Sequence, residues 1–215
     1  MPTPGELERL FNLIVDPLCI AGFDGYLKQI NPAWTRTLGY SDAELLSRPY
    51  LDFVHPDDIA HTVNAATKVA NGVTVLEFRN RYRAKDGTYR WLAWNAYPSP
   101  EEQLVYACAR DITELKRREE HQSAVYGVTR VLSTAGSLEE ASSEILKVVC
   151  EVLDWDVGAV WSVDRDAEVI RCVQLWHNES IDVPMFASKT RAAAFGLDIG
   201  LPGRVWNTNE PHWIS

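Results

Sequence analysis

LVYACARDITELKRREEHQSAVYGVTRVL, residues 104–132, changes character once along its length. Leu104 to Arg110 is an apolar, strand-forming run, whereas Glu114 to Glu120 is charged and made of strong helix formers. Between them lies Asp111-Ile112-Thr113. Asp and Thr carry short oxygen-bearing side chains that accept from the free N–H groups at a helix start. The stretch therefore predicts a strand that runs directly into a helix. The chain before it reads as one compact α+β domain, and the chain after Ser137 as the start of a second. A junction so placed is suited to carry a mechanical signal.

The preceding chain supplies the partners of that strand. Glu6 to Val15 has apolar residues at helical spacing, and Asp16-Pro17 ends the helix because a residue before proline avoids the helical region. Leu18 to Ala21 and Leu27 to Ile30 read as strands joined by an Asp24-Gly25 hairpin turn. Asn31-Pro32 reads as the cap and first turn of a short helix closed by Gly39. Ser41 to Glu44 is a capping box. His55-Pro56-Asp57-Asp58 opens a helix that runs to about Ala70. Val73 to Arg83, Tyr89 to Tyr97 and Leu104 to Arg110 are three strands, with a turn at Lys85-Asp86-Gly87-Thr88. Short turns between neighbours predict a five-stranded, mostly antiparallel sheet with helices on one face, an α+β layer architecture. By alternation Leu76, Phe78, Asn80 and Tyr82 share the core face of the first of these three strands, opposite Val75, Glu77, Arg79, Arg81 and Arg83. Asn80 is the polar member of that face and needs a partner or a wet cleft.

Four motifs in this order resemble a PAS domain: DPLCIAGFDGYLKQINPAWTRTLGY from Asp16, HPDD at 55–58, KDGTYRW at 85–91 and ARDITELK at 109–116. The last resembles the bacterial subgroup that ends in D-I-T-E. The pieces that carry the resemblance are spread over Leu10 to Glu114, which places the PAS domain at residues 1–113 and implies a sensory or dimerising module with a small-molecule cleft between sheet and helices. It also implies a signal-relay role for Asp111 and Thr113, which match the family's D-x-T. A plain N-cap is the alternative for both, and the two roles are compatible. Trp34, Phe78, Asn80, Trp91 and Trp94 are candidates for the cleft wall, with simple core packing as the alternative.

No cofactor is expected, though a small-molecule ligand is compatible with the fold. The region matching the flavin-binding LOV subgroup's reactive cysteine reads SRPYLDFV, Ser47 to Val54, and has none. His61, on the long helix, and His55, at its start, are where haem-binding members place a ligand. A lone histidine on a helix is more often a surface or packing residue, so haem is not expected.

Beyond the junction, residues 114–136 read as a linker helix with opposite charges at i,i+4 spacing, Glu114 to Arg118 and Lys116 to Glu120. Leu115, Gln122, Val125, Thr129 and Leu132 fall on a heptad seam, with Arg118 and Gln122 as polar members. The segment resembles the signalling helices that link sensory domains, which implies a homodimer. Ala135-Gly136-Ser137 breaks it, and Ser137-Leu138-Glu139-Glu140 opens a helix striped by Leu138, Ala141, Ile145, Val148, Val149 and Val152. A strand over 157–163, its partner over 168–176, helices near 188–194 and 200–206 and a strand beginning at Pro211 complete the chain. SLEEASSEILKVVCEVL, VGAVWSVD and GLPGRVWNTNEPHWIS resemble the front of a GAF domain, so residues 137–215 read as its truncated N-terminal part. A half domain of this kind leaves a bare sheet edge and an uncovered apolar face. Lower order, or burial of that surface in a dimer, is expected of it.

The bulk properties exclude other classes. A net charge of -9 disfavours a nucleic-acid-binding face. The short basic clusters at 79–85 and 116–118 read as solvated faces. No apolar run reaches the roughly 20 residues of a membrane helix, and MPTPGELERL lacks the pattern of a secretion signal, so a cytoplasmic location without membrane contact is expected. The four cysteines (19, 108, 150, 172) form no C-x-x-C pair and read as small core residues, with no metal site. No nucleophile triad, zinc motif or Walker glycines are present, so no catalytic residue is assigned and the segment is not expected to be an enzyme. The expectation is a sensory and dimerising segment of a bacterial signalling protein, a sensor histidine kinase in the first place, with its output domain elsewhere in the same protein. The alternatives are a haem- or other cofactor-bearing redox or gas sensor and the sensory segment of a cyclic-di-nucleotide enzyme.

Overall fold

The computed structural model describes residues 3–214, apart from the side chains of Leu138 and Glu139. The apolar stripe expected to start at Leu138 is accordingly described from Ala141 onward. The chain divides into two units at Arg117/Arg118. The division falls inside a helix, and each unit is described separately.

In the first unit, α1 (Pro4–Leu13) is opened by a capping box at Thr3 and Glu6. It is followed by β1 (Leu18–Gly22), β2 (Leu27–Ile30), α2 (Ala33–Leu38), α3 (Asp42–Leu46) and α4 (Ile59–Ala70). The unit closes with β3 (Val75–Arg83), β4 (Tyr89–Ser99), β5 (Leu104–Asp111) and the start of α5 (Thr113–Thr134). The sheet order is β2-β1-β5-β4-β3, and every pairing is antiparallel. The last strand thus lies in the middle of the sheet. It joins the N-terminal hairpin to the C-terminal meander, and the core of Trp34, Leu38, Leu45, Phe53, Tyr82 and Leu92 gathers on one face.

In this unit Asn31 and Leu76 depart from the sequence expectation. Asn31 does not cap α2. Pro32 occupies that position without a side-chain bond, while the Asn31 amide turns inward. Its Oδ1 accepts from Leu18 N–H at 2.9 Å, and its Nδ2 lies 3.0–3.2 Å from the carbonyls of Phe11, Ile14 and Asp16. Leu76 is not on the core face. The register slips between Val75 and Phe78, with Glu77 at φ 54° and its N–H bonded to Asn95 Oδ1 at 3.1 Å. One extra residue at a bulge inverts the alternation before it, so Val75 joins the cleft wall and Leu76 is 59% exposed.

In the second unit, α6 (Leu138–Leu153) packs on an antiparallel sheet of β6 (Val157–Asp164), β7 (Val169–His177) and β8 (Ala194–Phe195), in the order β6-β7-β8. α7 (Pro184–Ala192) and α8 (Gly200–Thr208) follow β7 and β8. α7 begins earlier than the sequence suggests because Pro184 supplies its first turn. Residues 211–214 form no strand. Gly203 is required by close approach, since a Cβ there would lie 2.3 Å from the Gly196 carbonyl oxygen. Trp213 and Ile214 are exposed, as are Leu197 and Ile199. Among the described residues no helix is long and apolar enough to cross a membrane.

Candidate functional site

Two features of the first unit stand out: a cleft between the sheet and α4, and the junction where β5 becomes α5. The cleft has a volume of about 340 Å³. Its floor is the inner face of β3, β4 and β5, where alternation directs Val75, Phe78, Asn80, Trp94 and Val105 inward. Its roof is α4, through small residues including Thr62, Ala65 and Ala66, and one wall is the β1–β2 hairpin. Small roof residues leave the space that larger ones would fill.

Phe78, Asn80 and Trp94 therefore line the cleft together. Trp34 does not. It is fully buried beneath the wall, its ring 5.8 Å from that of Trp94 and its Nε1 donating to the Leu18 carbonyl at 2.9 Å. Trp91 belongs to the opposite face of β4, because it alternates with Leu92 and Trp94. Asn80 finds the partners its burial demands: it donates to Thr62 Oγ1 at 3.0 Å and accepts from Trp94 Nε1 at 2.8 Å. Thr62 in turn donates to the Asp58 carbonyl at 2.7 Å. Cys19 also lines the cleft, and burial pushes its thiol up to about 12, so it is a protonated, unreactive wall group. His61 is exposed and lies against the Phe78 ring at 4.8 Å without lining the cleft. His55 accepts from Asp57 N–H at 3.2 Å, and its ring lies tilted against that of Tyr89 at 4.5 Å.

At the junction, Asp111 Oδ1 accepts from Thr113 N–H at 2.9 Å and from Thr113 Oγ1 at 2.5 Å. That is an N-cap bond, but Thr113 does more. Its hydroxyl oxygen accepts from the Trp91 N–H at 2.9 Å, and the Trp91 carbonyl accepts from Ile112 N–H at 2.8 Å. The first residue of α5 is thereby bonded to β4 rather than only to its own helix, and Thr113 is 4% exposed.

The Trp91 ring collects two cations: the Arg81 guanidinium at 5.3 Å and Lys116 Nζ at 5.9 Å from its centroid. Arg81 is gripped by Asp58, whose Oδ2 takes its backbone N–H at 2.8 Å and its Nε at 2.9 Å while Oδ1 takes Nη2 at 2.7 Å. His55 N–H also donates to the Arg81 carbonyl at 2.9 Å, so residues 55–58 cover the free edge of β3. A continuous set of contacts therefore runs from the start of α4, above the cleft, through Asp58, Arg81 and Trp91 to Thr113 and Lys116. Sequence reasoning assigns Arg81 and Lys116 to solvated faces. Their charge gives no hint of the tryptophan between them, which lies close only once β3, β4 and α5 are assembled.

Leu115, Val125 and Leu132 are 54%, 52% and 60% exposed, and Gln122 and Thr129 are exposed beside them. The opposite face of α5 holds buried Ala124 and Val131. Gly127 lets the helix approach Val148 of α6. The seam is thus the exposed face of a helix whose other face is occupied.

Comparison with known proteins identifies the first unit. Residues 28–107 match the family described as PAS fold; the match begins in β2 and ends in β5, within the unit whose five-stranded antiparallel sheet is described above. A search of curated proteins finds no match to the chain. Among solved structures, a domain of a sensory box sensor histidine kinase/response regulator from Geobacter sulfurreducens is 19% identical, with a TM-score of 0.45 over 50% of this chain and 92% of that one. The PAS domain of an HTR-like protein from Haloarcula marismortui is 23% identical, with a TM-score of 0.45 over 50% and 90%. The PAS domain of a protein from Colwellia psychrerythraea is 21% identical, with a TM-score of 0.46 over 51% and 97%.

Proposed function

We propose that this chain is a non-catalytic sensory and dimerising segment of a signal-transduction protein. The state of the PAS cleft is relayed through Asp111, Thr113 and α5 to an output domain elsewhere in the same protein. The observation that carries this reading is the Thr113 hydroxyl, which bonds the start of α5 to the backbone of β4 at Trp91. A helix held only by its own cap would not feel the sheet. This one is fastened to a strand whose other face lines the cleft. Residues 137–215 are read as the front of a GAF-like domain, supported by the helix α6 on an antiparallel sheet and by the motifs quoted above.

The relay can be tested without knowing any ligand. Ala66→Phe fills the cleft from α4 and stands in for an occupant. In the otherwise native chain it is expected to change amide exchange of residues 112–120 about tenfold, the size of a coupling near 1.4 kcal/mol. In a Thr113→Val background the same substitution is expected to leave those amides unmoved while the sheet keeps its protection. A change that persists without the Thr113 hydroxyl would refute the relay.

Dimerisation is placed on the exposed seam of α5, where apolar residues recur at heptad spacing with polar Gln122 and Thr129 to fix register. Light scattering is expected to give twice the chain mass for the native sequence. Leu115→Glu, Val125→Glu and Leu132→Glu combined should give the chain mass. An unchanged mass in the triple variant would remove the seam from the interface.

A further inference from the structure

We infer that the cleft takes an uncharged, largely apolar small molecule whose one hydrogen-bond acceptor, of carbonyl type, is received by the Tyr82 hydroxyl. This rests on the reading of the cleft as the sensory site and adds the chemistry of its occupant.

The lining is short of charge. Among the described residues Asp24 is the one charged lining side chain; it sits at the hairpin mouth, is half-exposed, and is paired with Lys28 Nζ at 2.5 Å. A charged ligand carried inward would lose its hydration with no opposite charge to replace it. The rest of the wall is mainly Ala, Val, Leu, Phe and Trp; the polar groups of Asn80, Thr62 and Thr67 are committed, whereas the hydroxyls of Tyr50 and Tyr82 make no hydrogen bond among the described residues. Asn80 uses both ends of its amide on Thr62 and Trp94, and Thr62 gives its proton to the Asp58 carbonyl.

Tyr82 differs. It is 3% exposed, and its ring is fixed by Trp34 at 6.1 Å and Trp94 at 5.5 Å. Yet its hydroxyl makes no hydrogen bond among the described residues. Tyr82 lines the cleft together with Cys19 and Tyr50. Desolvation raises its ionisation well above the ordinary tyrosine value, so at neutral pH it is a fixed neutral donor. A donor in the cleft wall that lacks an internal partner favours ligands that supply an acceptor over those that do not. The volume of about 340 Å³ admits a molecule of two fused rings and not much more.

Three probes of one shape separate the terms: 2-acetylnaphthalene, 2-ethylnaphthalene and 2-naphthoate. The Trp94 indole N–H resonance reports cleft occupancy directly. In the full chain 2-acetylnaphthalene is expected to bind about tenfold more tightly than 2-ethylnaphthalene, and 2-naphthoate at least tenfold more weakly than the ketone. Tyr82→Phe removes a hydroxyl with no internal partner. It is expected to weaken the ketone about tenfold and leave the hydrocarbon within twofold. Ala66→Trp, which plugs the cleft, is expected to abolish binding of both.

The inference is overturned if naphthoate binds as well as the ketone, if Tyr82→Phe leaves the ketone's affinity unchanged, or if none of the three moves the Trp94 resonance. None of those results touches the relay, which the Ala66→Phe exchange experiment tests with no ligand present.

Discussion

Replacing Asn31 by Ala is expected to lower the stability of the first unit by about 4 kcal/mol, more than most single substitutions cost. The side chain is 1% exposed and bonds to four backbone groups: the N–H of Leu18 and the carbonyls of Phe11, Ile14 and Asp16. Truncation takes this partner from all four in a part-buried site, and a buried group left unpaired costs roughly 1–3 kcal/mol. The four groups belong to the end of α1, the Asp16-Pro17 bend and the first residue of β1. Asn31 therefore clamps three separately coded pieces of chain to the end of β2. Asn31→Leu separates volume from hydrogen bonding. If the polar groups dominate, restoring bulk recovers under a quarter of the loss. Asn31→Asp keeps the acceptor for Leu18 but sets a carboxylate against three carbonyl oxygens, and is expected to be at least as damaging as Ala. Urea unfolding followed by tryptophan emission measures all three. A loss below about 1 kcal/mol for Asn31→Ala would mean the clamp contributes no more than an ordinary exposed bond.

Asn31 also shows where reading the sequence stops. Asn-Pro before a helix has the composition of a cap, and the local rule is sound. The rule is overridden because four unpaired backbone groups from residues 11–18 converge on the same side chain, and none of them is local. Leu76 fails for a related reason. A strand's alternation is legible only up to a bulge, and the bulge at Glu77 depends on a bond from Asn95 on the neighbouring strand. By contrast the five strands, their turns, the breaks at Gly39 and Gly87 and the β5-to-α5 passage are coded within a few residues of where they occur, and they stand where the sequence puts them.

The candidate site divides in the same way. Asp111 and Thr113 are two residues apart, and their mutual bond follows from spacing alone. The bond from Trp91 to Thr113 does not, because it spans 22 positions and needs β4 beside β5. Phe78, Asn80 and Trp94 are reachable from alternation. Tyr82 falls in the core by the same rule, and only the assembled cleft distinguishes it from Asn80: its hydroxyl has no partner among the described residues, while the Asn80 amide is satisfied at both ends.

The Asp58–Arg81 pair is expected to give the second large effect, with a pH signature that identifies its partner. Arg81→Met should cost about 2 kcal/mol at neutral pH, between the values for exposed and for fully buried pairs. The side chains are 23% and 16% exposed, and the contact is two-pronged, with Oδ2 taking Nε at 2.9 Å and Oδ1 taking Nη2 at 2.7 Å. The Arg81 hydrogen bonds hold the Asp58 carboxyl below its ordinary value of 3.8. A carboxyl depressed in the folded state adds stability that is complete above its unfolded pKa and disappears as pH falls through the folded one. The gap between native and Arg81→Met chains should therefore stay constant from pH 7 to about pH 5 and narrow below about pH 4. Asp58→Asn in the Arg81→Met background should add little, since the pair is already broken. Urea midpoints at pH 7, 5 and 3 decide the matter. A gap at pH 3 as wide as at pH 7 would mean that Arg81 stabilises through packing on Trp91 and not through the carboxylate. The aromatic contact would then be the link that ties the edge strand to the start of α5.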